Sequence, residues 1–168
     1  GIIGLSIRIL FLHTEIPINS DNFLYFRSAI DQNMGYFSET HNIANDGWPF
    51  FLSLFFSIIP LNNFLDYMVI QRFLTIGISV VTIIPIYFLG KQFFSRSYAI
   101  LGSAIFIFEP RIVQNSLFGT TDPLSILALT ISLALIFNKK YYLQYISSAI
   151  LSLSILVRSE GLFLLPIF

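Results

Sequence analysis

Long apolar runs separated by short polar turns limit what this chain can fold into more than any other feature. The run PLSILALTISLALIF, Pro123 to Phe137, is hydrophobic on every side, and comparable runs follow Asn63, Ser97 and Lys140. A helix needs roughly 20 apolar residues to cross about 30 Å of hydrocarbon, and several of these stretches approach that length. Hydrophobic residues are 55% of the chain and mean hydropathy is +0.79, values typical of multi-pass membrane proteins. Transmembrane barrels alternate apolar and polar residues in segments of about ten, and these runs do not alternate. The expected fold class is all-α: a polytopic transmembrane helix bundle forming a single domain over residues 1–168.

Net charge is zero and no basic block stands out, so the composition points away from nucleic acid. Without cysteine there are no disulfides and no thiolate metal sites. GIIGLSIRILFL lacks the basic start and small-residue cleavage site of a signal peptide and carries Arg8 in its middle; it reads as the outer part of a spanning helix, with Arg8 snorkelling outward. The chain begins without methionine and ends inside an apolar run, as a fragment of a longer membrane domain would.

Lysine and arginine in short loops mark the cytoplasmic side. GKQFFSRS, with Lys91 and Arg96, and NKK, with Lys139 and Lys140, both qualify. Helices over about 63–90, 97–115, 122–138 and 141–157 then alternate across the bilayer. All nine acids, Glu15, Asp21, Asp31, Glu39, Asp46, Asp66, Glu109, Asp122 and Glu160, fall on the extracytoplasmic side. Trp48 to Leu61 would cover only about 21 Å as a helix, so it reads as a re-entrant or interfacial segment.

The longest polar stretch precedes Trp48. Asn19, Ser20 and Asp21 suit a helix start, Phe23, Phe26, Ile30 and Met34 recur at helical spacing, and Gly35 suits a stop. This predicts an amphipathic helix on the membrane surface, with Asp21, Tyr25, Ser28 and Gln32 on the face opposite the apolar stripe. Tyr36, Phe37 and Trp48 are aromatics of the kind that settle at headgroups.

Counted back from the basic loops at about 1.5 Å per residue, Asp122, Arg158, Arg72 and Arg111 all rise roughly 21–28 Å. One carboxylate and three guanidinium groups thus reach one layer near the outer edge of the hydrocarbon. Ionised groups at such depth are costly unless paired or wet, which makes them functional candidates. Structural roles stay open beside this: Asp122 with Pro123 reads as an N-cap followed by proline, Asp21 as a cap, Arg158 with Glu160 as a local pair. His13 and His41 read as loop histidines, since no ligand cluster surrounds them. Pro110 is expected to kink or end the ascending helix and Gly119 to permit the turn.

SDNFLYFRSA after the first helix, PRIVQNSLFGTTDPL at the next outer corner and LVRSEGLFLLP at the one after resemble the N-terminal part of C-type, polyprenyl-phosphate-dependent glycosyltransferases. That superfamily includes protein O-mannosyltransferases, lipid A aminoarabinose transferases and the oligosaccharyltransferase catalytic subunit. The resemblance implies a multi-helix membrane enzyme moving a sugar from a polyprenyl-phosphate donor to a protein or lipid acceptor on the extracytoplasmic face. Its first-loop catalytic aspartate maps onto Asp21. In the oligosaccharyltransferase branch the second corner, matched by Gly119 and Asp122, adds an acid to a divalent-cation site for Mg or Mn, which makes Asp21 and Asp122 the metal candidates. Pro123, Leu124 and Ser125 depart from that branch, which has a second acid there.

Sugar transfer from a lipid phosphate needs a base, positive charge for the departing phosphate and an apolar groove for the chain. Asp21 is the candidate base. Tyr25, Arg72, Arg111, Asp122, Arg158 and Glu160 are the candidate substrate-binding residues, the arginines for the phosphate. The rival readings are a lipid or solute transporter or flippase, which favours a midplane site and repeated broken helices, and a non-catalytic membrane partner subunit.

Overall fold

The computed structural model describes residues 1–12, 20–36, 45–59, 63–138 and 140–167, with only the backbone for Ser20, Asp21, Leu164, Leu165 and Ile167. Every regular element among them is helical: α1 (Ile2–Leu10), α2 (Ser20–Asn33), α3 (Gly47–Ile58), α4 (Phe64–Val81), α5 (Ile83–Phe93), α6 (Arg96–Phe108), α7 (Pro110–Phe118), α8 (Asp122–Ile136), α9 (Tyr141–Val157) and a 3-10 stretch, Ser159–Ile167. The all-α expectation holds. α4 and α5 form one apolar rod of 30 residues, Phe64–Phe93, long enough to cross a membrane. Its regular helical bonding breaks at Thr82, whose hydroxyl donates to the Ile78 carbonyl at 2.7 Å, just before Pro85 withholds a backbone donor. The other apolar helices, α3, α6, α8 and α9, have 12 to 17 residues.

Polar and small side chains occupy much of the interior between α4, α7, α8 and α9, and large apolar ones cover much of the outside. Gln71, Thr75, Ser79, Thr82, Ser116, Ser132, Ser147 and Ser154 are buried, whereas Ile84, Phe88, Ile105, Leu153 and Leu156 are exposed. Along α8 and α9 the buried serines recur every seven residues, Ser125 and Ser132 against Ser147 and Ser154. Ser147 donates to the Ser132 carbonyl at 2.6 Å, and Ser132 returns a bond to the Ser147 carbonyl at 3.1 Å. Small residues let two helices approach closely, and hydroxyls then bond across.

The two basic turns lie at one end of the bundle. Gln92, at the close of α5, donates to the Ala134 carbonyl of α8 at 2.7 Å, and the Phe93 and Phe137 rings meet edge-on at 5.1 Å. At the other end, α2 and α3 close over α9. A Cβ on Gly47 would lie 2.6 Å from the Leu156 carbonyl group, so only glycine lets α3 come this near. Trp48, Leu52 and Phe56 of α3 and Phe26 and Ala29 of α2 make the apolar core there.

Two expectations change. Trp48, expected at headgroups, is fully buried and stacks on Phe51, because α3 turns that face inward. On α2 the buried residues are Asn22, Phe26, Ser28 and Ala29, while Phe23 and Met34 are exposed; the helix meets α3 through a mixed face rather than the expected apolar stripe. As expected, Pro110 ends the ascending helix: α6 stops before it and α7 starts at it, which divides the stretch over 97–115. Phe37 lies outside the described residues, and Tyr36 is exposed.

Candidate functional site

The site grows from the corner between α7 and α8. Glu109 caps α7, its side chain accepting from the Ile112 amide at 2.8 Å, and Pro110 occupies the first helical position, where no donor is missed. α7 ends at Gly119, whose φ of 72° lies in the left-handed region. Thr121 takes the cap position of α8, which releases Asp122 from the expected capping role. Asp122 instead accepts from the Asn115 amide and pairs with the Arg158 guanidinium.

Arg158 stands where α9 gives way to extended backbone. Its Nε donates to Glu160 Oε2 at 3.2 Å and its Nη2 to Glu160 Oε1 at 2.6 Å, while Nη1 faces Asp122. One guanidinium therefore holds two carboxylates. Side-chain exposure rises from 22% at Asp122 through 35% at Arg158 to 58% at Glu160, so the cluster opens outward through the glutamate. The Arg158 hydrogen bond holds the Glu160 carboxyl at about 2, far below its ordinary range. Tyr25 of α2 is near enough to act electrostatically on Arg158.

A second network, behind the corner, locks α7 in place. Arg8 is fully buried; its Nε donates to Ser116 Oγ at 3.1 Å, Nη2 to Ser79 Oγ at 3.0 Å, and Nη1 to the carbonyls of Gly4 at 3.0 Å and Ile107 at 3.2 Å. Thr75 donates to the Ser116 carbonyl at 2.6 Å, Gln71 to that of Gly119 at 2.7 Å and Asn22 to that of Phe118 at 3.1 Å. Arg8 thus reaches inward rather than snorkelling, because four acceptors converge on it. Arg8, Gln71 and Asn115 are residues that sequence reasoning missed. Their partners lie up to 108 positions away or, for Asn115, across a turn, and no spacing announces such pairs.

Of the expected site residues, Tyr25, Asp122, Arg158 and Glu160 come together. Arg72 is buried on α4 beside Gln71, about two turns into the helix as expected. Arg111 is exposed at the start of α7 and has no ion pair among the described residues. Asp21 lies in the first turn of α2, four residues or roughly 6 Å of helix before Tyr25; its side chain lies outside the described residues. Both Asp122 oxygens are engaged, by Asn115 and Arg158, and among the described residues no three His, Cys, Asp or Glu side chains cluster. The described donors therefore do not fit a divalent cation at Asp122, which wants several free oxygens rather than a guanidinium neighbour.

Below the cluster an apolar groove of about 450 Å³ runs between α3, α8 and α9. Leu124, Leu156 and Val157, within two residues of Asp122 or Arg158, form its near end, and Leu127, Ala128 and Leu153 line its course. No family model matches the chain, and neither a curated protein nor a solved structure is significantly similar to it.

Proposed function

We propose that the protein is a multi-pass membrane glycosyltransferase that moves a sugar from a polyprenyl-phosphate donor to a protein or lipid acceptor on the extracytoplasmic face. The observation that carries this reading is the Asp122–Arg158–Glu160 cluster, with Tyr25 beside it, at the head of an apolar groove. A guanidinium above an apolar channel matches a lipid phosphate, whose head is an anion and whose tail is hydrocarbon. The apolar exterior and hydroxyl-rich interior support a bundle immersed in lipid, because backbone and hydroxyl groups must find partners inside it. The gathering of basic turns at the end away from Asp122 supports the sidedness.

In this reading Arg158 neutralises the departing phosphate, and Asp122, held by Asn115, fixes the guanidinium. Arg72, buried on α4 beside Gln71, and Arg111, exposed at the start of α7, add positive potential. Asp21, one turn before Tyr25, removes the acceptor proton; general-base catalysis is typically worth about 10²- to 10⁴-fold. No step runs through a metal.

Membranes containing the protein, given labelled polyprenyl-phosphate sugars and candidate acceptors, test the proposal. Asp21→Asn is expected to abolish transfer while expression is unchanged. An active Asp21→Asn enzyme removes Asp21 from the mechanism, and movement of the labelled lipid between leaflets without transfer would replace the reading by a flippase.

A further inference from the structure

Arg158 presents two hydrogen-bonding edges, and the carboxylates on them are held unequally. Asp122, 36 positions away in sequence, is the less exposed and is also fixed by Asn115. Glu160 is only two residues away, on a short 3-10 stretch, mostly exposed, and grips the Nε and Nη2 edge with both oxygens. A phosphate offers two oxygens to a guanidinium edge in the same fork-like way. The charges also match, since the cluster holds two carboxylates and one guanidinium, and a phosphodiester carries one negative charge. Exchanging Glu160 for a phosphodiester leaves that balance as it was; a phosphomonoester would add charge.

We infer that Glu160 stands in for the phosphate of a single-chain lipid phosphodiester, whose hydrocarbon tail lies in the groove between α3, α8 and α9, and that ligand binding displaces Glu160 from Arg158 while Asp122 stays. The inference rests on the reading of Arg158 as a phosphate ligand and goes beyond it by naming an internal competitor and the chain's path. The groove begins at Leu156 and Val157, immediately before Arg158, so one molecule spans both parts. Its volume suits one apolar chain, lying in the range of about 300–1,000 Å³ usual for ligand pockets.

The test measures binding of citronellyl methyl phosphate to the purified protein in detergent, with dimethyl phosphate as the head alone and citronellol as the chain alone. Glu160→Gln removes the competitor and is expected to tighten the tailed diester about two- to fivefold, the span that exposed ion pairs command. Ala128→Phe fills the groove and is expected to weaken the tailed diester at least about tenfold without changing dimethyl phosphate. Ala128→Leu, a smaller plug, serves if the phenylalanine variant does not fold. Citronellyl phosphate, the monoester, is expected to bind more weakly than the diester. Unchanged or weaker diester binding in Glu160→Gln overturns the inference. If Arg158→Gln still abolishes binding in that event, the phosphate reading of Arg158 survives by itself; if Arg158→Gln also changes nothing, both fall.

Discussion

Replacing Arg8 tests the interior network most directly, and the decisive comparison is between Arg8→Lys and Arg8→Met. The guanidinium is fully buried and donates four bonds of 3.0 to 3.2 Å to acceptors on α1, α4, α6 and α7. Lysine keeps the charge but radiates its donors from one point, so it cannot reach acceptors on four helices, and its ammonium is the more strongly hydrated ion. Hydrogen bonds from charged donors are worth about 1.5–3 kcal/mol each, so losing two costs roughly 3 kcal/mol or more. Methionine removes the ion and its desolvation cost together. It strands chiefly the Ile107 carbonyl, one of the orphan acceptors in the last turn of α6, because Ser116 still donates to the Val113 carbonyl at 2.6 Å. That costs about 1–3 kcal/mol. Lysine should therefore be the worse substitution, lowering the unfolding midpoint by on the order of 6–12 °C at about 2–4 °C per kcal/mol. Trp48, the single tryptophan and fully buried, reports the transition by fluorescence in detergent. If Arg8→Lys melts with the wild type, or Arg8→Met melts below Arg8→Lys, the convergence of four acceptors is not what makes arginine necessary.

Two further outcomes follow from the packing and the ion pair. Gly47→Ala puts a Cβ 2.6 Å from the Leu156 backbone, which cannot yield as a flexible side chain would; the expected loss is about 1–3 kcal/mol by thermal unfolding, whereas Gly77→Ala, with open space around it, should be neutral or gain up to about 1 kcal/mol. Equal midpoints for the two variants would refute the close approach of α3 to α9. The Glu160 carboxyl is depressed from 4.5 to about 2 by its bond to Arg158, so its contribution is complete above about 4.5 and disappears as pH falls toward 2. Wild-type stability should decline more steeply than that of Glu160→Gln across that window, by a small margin because water screens this exposed pair; equal slopes would show that the pair adds nothing.

The helical class, the corner at Pro110 to Pro123 and the extent of α9 were legible because they depend on local chemistry. An apolar run has no alternative partner for its backbone than itself, proline cannot donate, and Gly119 can adopt a positive φ. Gly35, with φ of 82° at the end of α2, belongs with these. The level shared by Asp122 and Arg158 was legible too, since rise per residue is fixed and α8 ends, and α9 starts, at the same basic turn. The network around Arg8, the burial of Trp48 and the inward face of α2 were not.

From composition and periodicity alone, the chain was bound to be helical, greasy and sparing with charge, because each of those properties follows from neighbours within a few residues. Which charges meet was decided only by tertiary packing. Arg8 could have turned toward solvent or inward by its local sequence, and Asp122 could have capped its own helix. Acceptors brought from distant helices, Ser79, Ile107 and Ser116 for the one and a guanidinium from α9 for the other, settled both, since a buried polar group takes the partner that three-dimensional proximity supplies.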